Sequence, residues 1–484
     1  MKILMASSEV VPYIKTGGLG DVAGTLINEY RKTGTEASAI LPLYKKIKKS
    51  ARDFKLMSLG KEITVPLGNS LEKGSLWKGK TPEGADVYFI ENRKFYDRDE
   101  IYSTSRGDYP DNASRFIFYS RGVLEALKAL KLKPDIIHCN DWQTGLIPVY
   151  LKTLYKDEFP KTATLMTIHN LGYQGIFKQS EMPLTGLAPA LFNINGLEFH
   201  GKINFLKAGI LFADIINTVS GNYAKEILTS EYGFGLDEVL RKRRDYLYGI
   251  INGIDYSEWN PEEDNFIPAK YSKDDLSGKV ICKKYLQKEH GLAVTNSPLI
   301  GMVTRLSSQK GLDIVADAMD MIIGSGVQMI ILGKGDESLH RVFSGFQKKY
   351  RRNLSVTIGF DNELAHKIYA GSDIFLMPSR YEPCGLGQLI ALRYSTIPVA
   401  RKTGGLLDTI EEYNPSEGTG SGFLFTSYSY TELIKTVKRA KKFFNAKKHW
   451  LNLQKNAMSR NFSWPHSAKK YLSLYQKALS KNDR

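Results

Sequence analysis

Cysteine is almost missing from the chain: Cys139, Cys282 and Cys384 are the only three in 484 residues. They are too few and too scattered for a disulfide framework, and none stand at C-x-x-C spacing, which removes the commonest zinc sites and points to a reducing compartment, the cytoplasm. Long apolar runs are missing too. The best candidate, GILFADIINTV (209–219), is broken by Asp214 and falls well short of the ~18–20 residues of a membrane span. The opening MKILMASSEV carries one lysine, and Ser7, Ser8 and Glu9 end its apolar run, so it predicts a first β-strand and no secretory leader. No His/Cys cluster recommends a metal, and no metal or other cofactor is expected.

What is present is ordinary globular composition, 42% hydrophobic and 24% charged, at about three times the ~150-residue domain prior. Lys and Arg outnumber Asp and Glu by 67 to 51, a formal charge of +16. The excess is spread out, densest at KKIKK (45–49), RKRR (241–244) and KRAKK (438–442), with no zinc-finger or RRM signature beside it. Solvated lysine-rich surface is the reading, with no nucleic-acid and no membrane partner.

Short β-branched runs recur between longer amphipathic stretches: KILMA (2–6), ASAIL (37–41), VYFI (87–90), DIIH (135–138), ATLMTIH (163–169), IINTV (215–219), LIGMVT (299–304), VQMIIL (327–332), LSVTI (354–358), IFLM (374–377) and IPVA (397–400). This is the βαβ rhythm of parallel sheets. Segment 114–131 predicts an amphipathic helix started by Asp111 and Asn112, with Phe116, Tyr119, Val123, Leu127 and Leu130 on one face. Between Asp255 and Ser297 the rhythm lapses, where one doubly wound domain hands over to the next. The likeness of KTGGLGD (15–21) to KTGGLLD (402–408) supports a count of two, unless it is a chance match of Gly-rich turns.

Three clusters carry chemistry. Lys15-Thr16-Gly17-Gly18-Leu19-Gly20-Asp21 stands between a strand and a helix, where glycine backbone and a helix N-terminus suit phosphate; it matches neither the dinucleotide fingerprint nor a P-loop. Arg305 and Lys310 sit five apart on a loop after a strand, either as joint ligands of a diphosphate or as exposed loop cations nearly neutral for the fold. Ser379-Arg380-Tyr381-Glu382-Pro383-Cys384-Gly385-Leu386-Gly387-Gln388 offers another glycine-rich helix start with a carboxylate beside it, which serves a hydroxyl-rich partner or a developing cation, or merely caps the helix.

Together these clusters, with DNASRF (111–116), PDIIHCNDWQTGL (134–146), TIHNLGYQG (167–175), NFLKAGILFAD (204–214), NGID (252–255) and RKTGGLLDT (401–409), resemble the bacterial glycogen synthase and plant starch synthase family of retaining glucosyltransferases over nearly the whole chain. The resemblance implies an α/β fold of GT-B type: two doubly wound Rossmann-like domains, 1–250 on the acceptor glucan side and 251–463 on the nucleotide-sugar side, facing each other across a deep cleft. A helix over 464–484 returns to the first domain. It implies transfer of glucose from ADP-glucose to the non-reducing end of glycogen or a maltooligosaccharide, with retention. The implied catalytic residues are Glu382, His169, Lys310, Arg305 and Asp141. Substrate binding falls to Lys15, Gly17, Gly18, Asp21, Asn170, Asn252, Phe360, Cys384, Gly385, Leu386 and Gly387. Phe360 would stack on the base, and Cys384 has no evident nucleophilic role. His169 at a strand end also reads, without the family, as a satisfied core histidine.

The sequence departs from the family at Gly387, where many members have Thr; at Asn140 and Gln143, where histidines are frequent; at Phe360, often Tyr; and at Ile390, where the wider E-x7-E pattern wants Glu. Alternatives are a related transferase using UDP-glucose or a small sugar acceptor, and a catalytically dead glucan-binding protein.

Overall fold

The apolar runs become strands buried on both faces, the pattern that helices on either side of a parallel sheet demand. The structure, a computed structural model, describes residues 1–104 and 107–482. The chain divides into two compact units: residues 1–219, 224–250 and 464 onward form one, and residues 220–223 and 251–463 the other. Among the described residues no helix is long and apolar enough to cross a membrane.

Unit 1 contains β1 (Lys2–Ala6), β2 (Glu36–Pro42), β3 (Met57–Leu67), β4 (Ser70–Lys80), β5 (Asp86–Glu91), β6 (Ile136–Asn140), β7 (Ala163–Ile168), β8 (Ile215–Thr218) and β9 (Leu247–Gly249). They lie in the order β9-β8-β7-β6-β1-β2-β5-β4-β3. From β9 to β5 the sheet is parallel; β4 and β3 add an antiparallel hairpin at one edge. Unit 2 contains β10 (Leu299–Val303), β11 (Gln328–Gly333), β12 (Leu354–Ile358), β13 (Ile374–Met377), β14 (Ile397–Arg401) and β15 (Phe423–Phe425), parallel throughout in the order β12-β11-β10-β13-β14-β15. In each sheet the order reverses beside its first strand, between β1 and β6 and between β10 and β13. Open parallel sheets take their ligands in the crevice at the carboxyl ends of such strand pairs.

Helix α1 (Gly18–Lys32) follows the loop after β1, and α2 (Asn112–Leu130) buries Phe116, Tyr119, Val123 and Leu127 as the spacing predicts, while Leu130, in its last turn, is only half-buried. Asp111 does not cap α2 with its side chain; its carboxylate takes both Nη atoms of Arg98, at 2.7 and 2.5 Å. In unit 2, α3 (Gly387–Arg393) follows β13, and α4 (Gly404–Thr409) follows β14. The two KTGGL segments therefore leave non-equivalent strands, β1 at the centre of one sheet and β14 off-centre in the other. They are separate solutions to one strand-to-helix turn, not a repeat.

Helix α5 (Trp464–Asn482) belongs to unit 1, with Tyr471, Leu474, Tyr475 and Ala478 on its buried face. Thr167 donates its hydroxyl to Asn217 Oδ1, so it accepts from His138 Nε2, 2.5 Å away. His138 Nδ1 then accepts from Tyr475 (2.8 Å), whose hydroxyl takes that of Tyr30 (3.0 Å). Asn217 Nδ2 donates to the Tyr471 hydroxyl at 3.2 Å. Every member is fully buried and partnered, the condition under which a polar network fixes one register.

Candidate active site

At the carboxyl edge of unit 1, Lys15 Nζ meets Asp21 Oδ1 at 3.0 Å, both side chains partly exposed. Burial raises the Asp21 pKa, and Lys15 opposes the rise. Gly17 precedes α1 in extended conformation with open space where a side chain would start, and Gly18 opens the helix, so the first-turn N–H groups stay approachable. Gly20 is sterically required, since a Cβ there would lie 2.8 Å from that of Lys15.

Asp141, directly after β6, has φ 54° and ψ −175°, a region that side chains rarely occupy and that marks functional turns. Its Oδ1 accepts the His169 N–H at 2.7 Å. Burial pushes its carboxyl up to about 7, the His169 and Asn170 amides oppose this, and the Glu9 charge adds to it. His169 follows β7, and its Nε2 lies 2.9 Å from Asn140 Oδ1. Asn140 spends its amide protons on the Ala6 and His138 carbonyls, so Oδ1 accepts and His169 carries its proton on Nε2, leaving the Nδ1 lone pair as acceptor. Burial lowers His169 to about 3, and His138 likewise. The imidazole is neutral at working pH. Asn170 uses Oδ1 to accept the Gly172 N–H at 3.0 Å, shaping the turn.

These shifts have opposite signs in the pH dependence of stability. A histidine neutral when folded contributes stability above the unfolded value near 6.5 that is lost as pH falls. Asp141, raised when folded, contributes stability below its unfolded value near 3.8 that is lost as pH rises through about 7. Between pH 4 and 6 it therefore offsets one of the two histidines. Asp141→Asn is expected to steepen acid destabilisation by up to about 1.4 kcal/mol per pH unit, read from urea unfolding across that range. An unchanged slope shows that Asp141 titrates as an ordinary aspartate.

At the carboxyl edge of unit 2, Arg305 is exposed two residues beyond β10, and Lys310 ends a short 3-10 turn. Lys310 does not behave as the exposed, fold-neutral cation that the sequence allows. Its Nζ lies 2.6 Å from Glu382 Oε2, with side-chain exposures of 17% and 5%. The Ser379 hydroxyl donates to the same oxygen at 2.9 Å. The sequence places Ser379 in this cluster without a role; its spacing three residues before Glu382 is the signal for one. Nor is Glu382 a helix cap, since no side chain caps α3.

The Glu382 loop is braced from behind by the second KTGGL segment. Any Cβ on Gly404 or Gly405 would fall 2.0 Å from the Glu382 carbonyl oxygen or 2.1 Å from that of Cys384. The Gly405 N–H donates to the Glu382 carbonyl at 3.0 Å. Gln388 adds bonds from Nε2 to the Cys384 and Gly385 carbonyls, both 2.9 Å. Cys384 is buried, and its thiol is pushed up to about 12, which makes it inert. Asn252 is 5% exposed; its backbone N–H faces the Cys384 sulfur, and among the described residues no donor meets its Oδ1. Leu386 and Gly387, half-buried, form the entry to α3. A Cβ on Gly387 would stand 2.9 Å from the Phe375 ring, so that ring takes up the space a threonine would need. Phe360, just past β12, is 83% exposed, an aromatic face held out at the sheet's carboxyl edge. Ile390 is buried in the core, which leaves Glu382 as the single carboxylate of the motif.

The two doubly wound units carry their cations, buried carboxylate and neutral histidine at the carboxyl ends of the central strands, where the resemblance to glycosyltransferases of GT-B type implies them. Residues 2–242 match the starch synthase catalytic domain family, and 284–457 match glycosyl transferases group 1. A glycogen synthase of Thermosipho melanesiensis is 49% identical, covering 99% of this chain and all of that protein. One of Syntrophotalea carbinolica is 46% identical with 99% of each covered. The catalytic domain of starch synthase IV from Arabidopsis thaliana, solved with ADP and acarbose, superposes with a TM-score of 0.91 at 33% identity, covering 99% of both chains. The chain belongs to the glycogen synthase and starch synthase family of glucosyltransferases.

Proposed function

We propose that the protein transfers glucose from ADP-glucose to the 4-hydroxyl at the non-reducing end of an α-1,4-glucan, glycogen or a maltooligosaccharide, with retention. The observation that carries this reading is the Lys310–Glu382 pair at the unit 2 switch point, on the loop that also carries Arg305. Breaking a sugar–diphosphate bond leaves negative charge on the departing phosphate and positive charge on the sugar, and a fixed cation beside a fixed carboxylate matches both. Arg305 and Lys310 neutralise the leaving group, the backbone of Gly385, Leu386 and Gly387 assists, and Glu382 offsets the charge on the sugar. Phe360 stacks on the base, and Asn252 directs its unanswered Oδ1 toward the nucleotide sugar. From unit 1, Lys15 and the Gly17-Gly18 turn face phosphate, and Asp21 reaches the nucleotide sugar. Neutral His169 accepts a sugar hydroxyl at Nδ1, held by Asp141 and flanked by Asn170.

Glucan-primed assays with ADP-glucose and UDP-glucose at equal concentration test this. Elongation through α-1,4 bonds, mainly from ADP-glucose, is expected. A β-linked product, or transfer only to small sugars, overturns the assignment.

Activity is also expected to survive EDTA, because the leaving group is met by cationic side chains instead of an acidic metal set. The triplet Asp97-Arg98-Asp99 does not supply one: Arg98 is bound to Asp111, and Asp99 pairs with Lys45 on the surface. Loss of turnover restored by Mg²⁺ or Mn²⁺ overturns this expectation.

A further inference from the structure

Glu9 lies in the loop after β1 with 3% of its surface exposed. A buried carboxylate is costly unless its oxygens are satisfied, and these are satisfied in an informative way. Oε2 accepts the Thr16 N–H at 2.5 Å, while Oε1 accepts the Thr16 hydroxyl at 2.8 Å and the Tyr102 hydroxyl at 2.6 Å. No cation pairs with Glu9 among the described residues. Among the described residues its charge is held by three neutral donors, two of them from the residue between Lys15 and Gly17.

Tyr102 is itself fixed. Its carbonyl accepts Asn112 Nδ2 at 2.9 Å, Asn112 Oδ1 accepts Arg115 Nη1 at 2.7 Å, and the wholly buried Arg115 donates from Nε to the Phe95 carbonyl at 2.9 Å. The DNASRF motif, to which no chemical role falls, thus begins a continuous chain that runs through Tyr102 and Glu9 to Thr16.

We infer that Glu9 and Tyr102 are positioning residues for the Lys15–Gly18 turn: the carboxylate pins Thr16 and thereby aims Lys15 and the first N–H groups of α1 at phosphate. This rests on the reading above that the turn faces the donor. The carboxylate accepts at both oxygens; glutamine keeps the shape but must either turn its NH₂ toward the Thr16 N–H or make the Thr16 and Tyr102 hydroxyls accept where they now donate, and it has no charge with which to hold them. Thr16 then loses an anchor while the fold keeps its volume.

The test compares Glu9→Gln, Tyr102→Phe, Thr16→Ser, Thr16→Val and, as a control, Lys15→Ala in the full chain. It measures ADP affinity by calorimetry, kcat and KM for ADP-glucose at saturating glucan, and thermal unfolding. Loss of hydrogen bonds to a charged group is expected to weaken ADP binding by Glu9→Gln roughly 10–100-fold, with KM rising in step and kcat changing less. Tyr102→Phe should move the same way by less. Thr16→Ser should stay near wild type, while Thr16→Val should follow Glu9→Gln. A folded Glu9→Gln protein with wild-type ADP affinity, where Lys15→Ala is weakened, overturns the inference. An unweakened Lys15→Ala removes the donor-facing reading and the inference with it. Should Glu9→Gln fail to fold, the Thr16 pair decides: equal ADP affinity in Thr16→Ser and Thr16→Val overturns the inference, and weaker binding by Thr16→Val alone supports it.

Discussion

Glu382→Gln is expected to lower kcat about 10²–10³-fold while KM for the donor stays near wild type, the pattern of an interaction stronger in the transition state. The amide oxygen still accepts from Lys310 and Ser379, which both reach Glu382 Oε2, so the loop keeps its form. Only the negative charge is lost. A rise in KM at unchanged kcat assigns Glu382 to donor binding alone, and a folded variant with wild-type kcat removes it from the reaction. Steady-state kinetics and thermal unfolding on one preparation separate these results.

Lys310→Ala is expected to cost a similar ~10²–10³-fold in kcat, as for a lost oxyanion donor. Its effect on the fold differs from that of a surface lysine. Removing Lys310 strands the Glu382 carboxylate at 5% exposure, for which a loss of about 3 kcal/mol is expected. The double variant Lys310→Ala/Glu382→Gln should then regain part of that stability without regaining turnover, because two contacting groups are not additive. Turnover within a few-fold of wild type in folded Lys310→Ala removes the leaving-group role.

The eleven apolar runs read from sequence all became strands, because a strand covered on both faces must be continuously apolar. The β3–β4 hairpin was illegible for the same reason: with Lys61, Glu62, Glu72, Lys73 and Lys78 along it, it follows no such rule. The site motifs were legible because a parallel sheet places the residues after each central strand at one edge. The Lys310–Glu382 pairing was not, since 72 residues separate the partners and it takes the β10–β13 adjacency to bring their loops together. Glu9 was visible only as the residue that ends the first apolar run. Nothing local tells a carboxylate gripping a turn from one facing water.

The hydrogen-bond chain from Tyr30 through Tyr475 to Asn217 has a consequence for synthesis. Unit 1 draws on residues 1–250, yet part of its core comes from α5, which leaves the ribosome only after the whole of 251–463. At ~5–20 residues per second that interval is roughly ten to forty seconds. During it the nascent first unit exposes the groove later filled by Tyr471, Leu474 and Tyr475, and at its end unit 2, contiguous apart from 220–223, has its sequence complete before α5 is made. Unit 2 thus has its whole sequence available before unit 1 has the last part of its core, although unit 1 is the first to be begun.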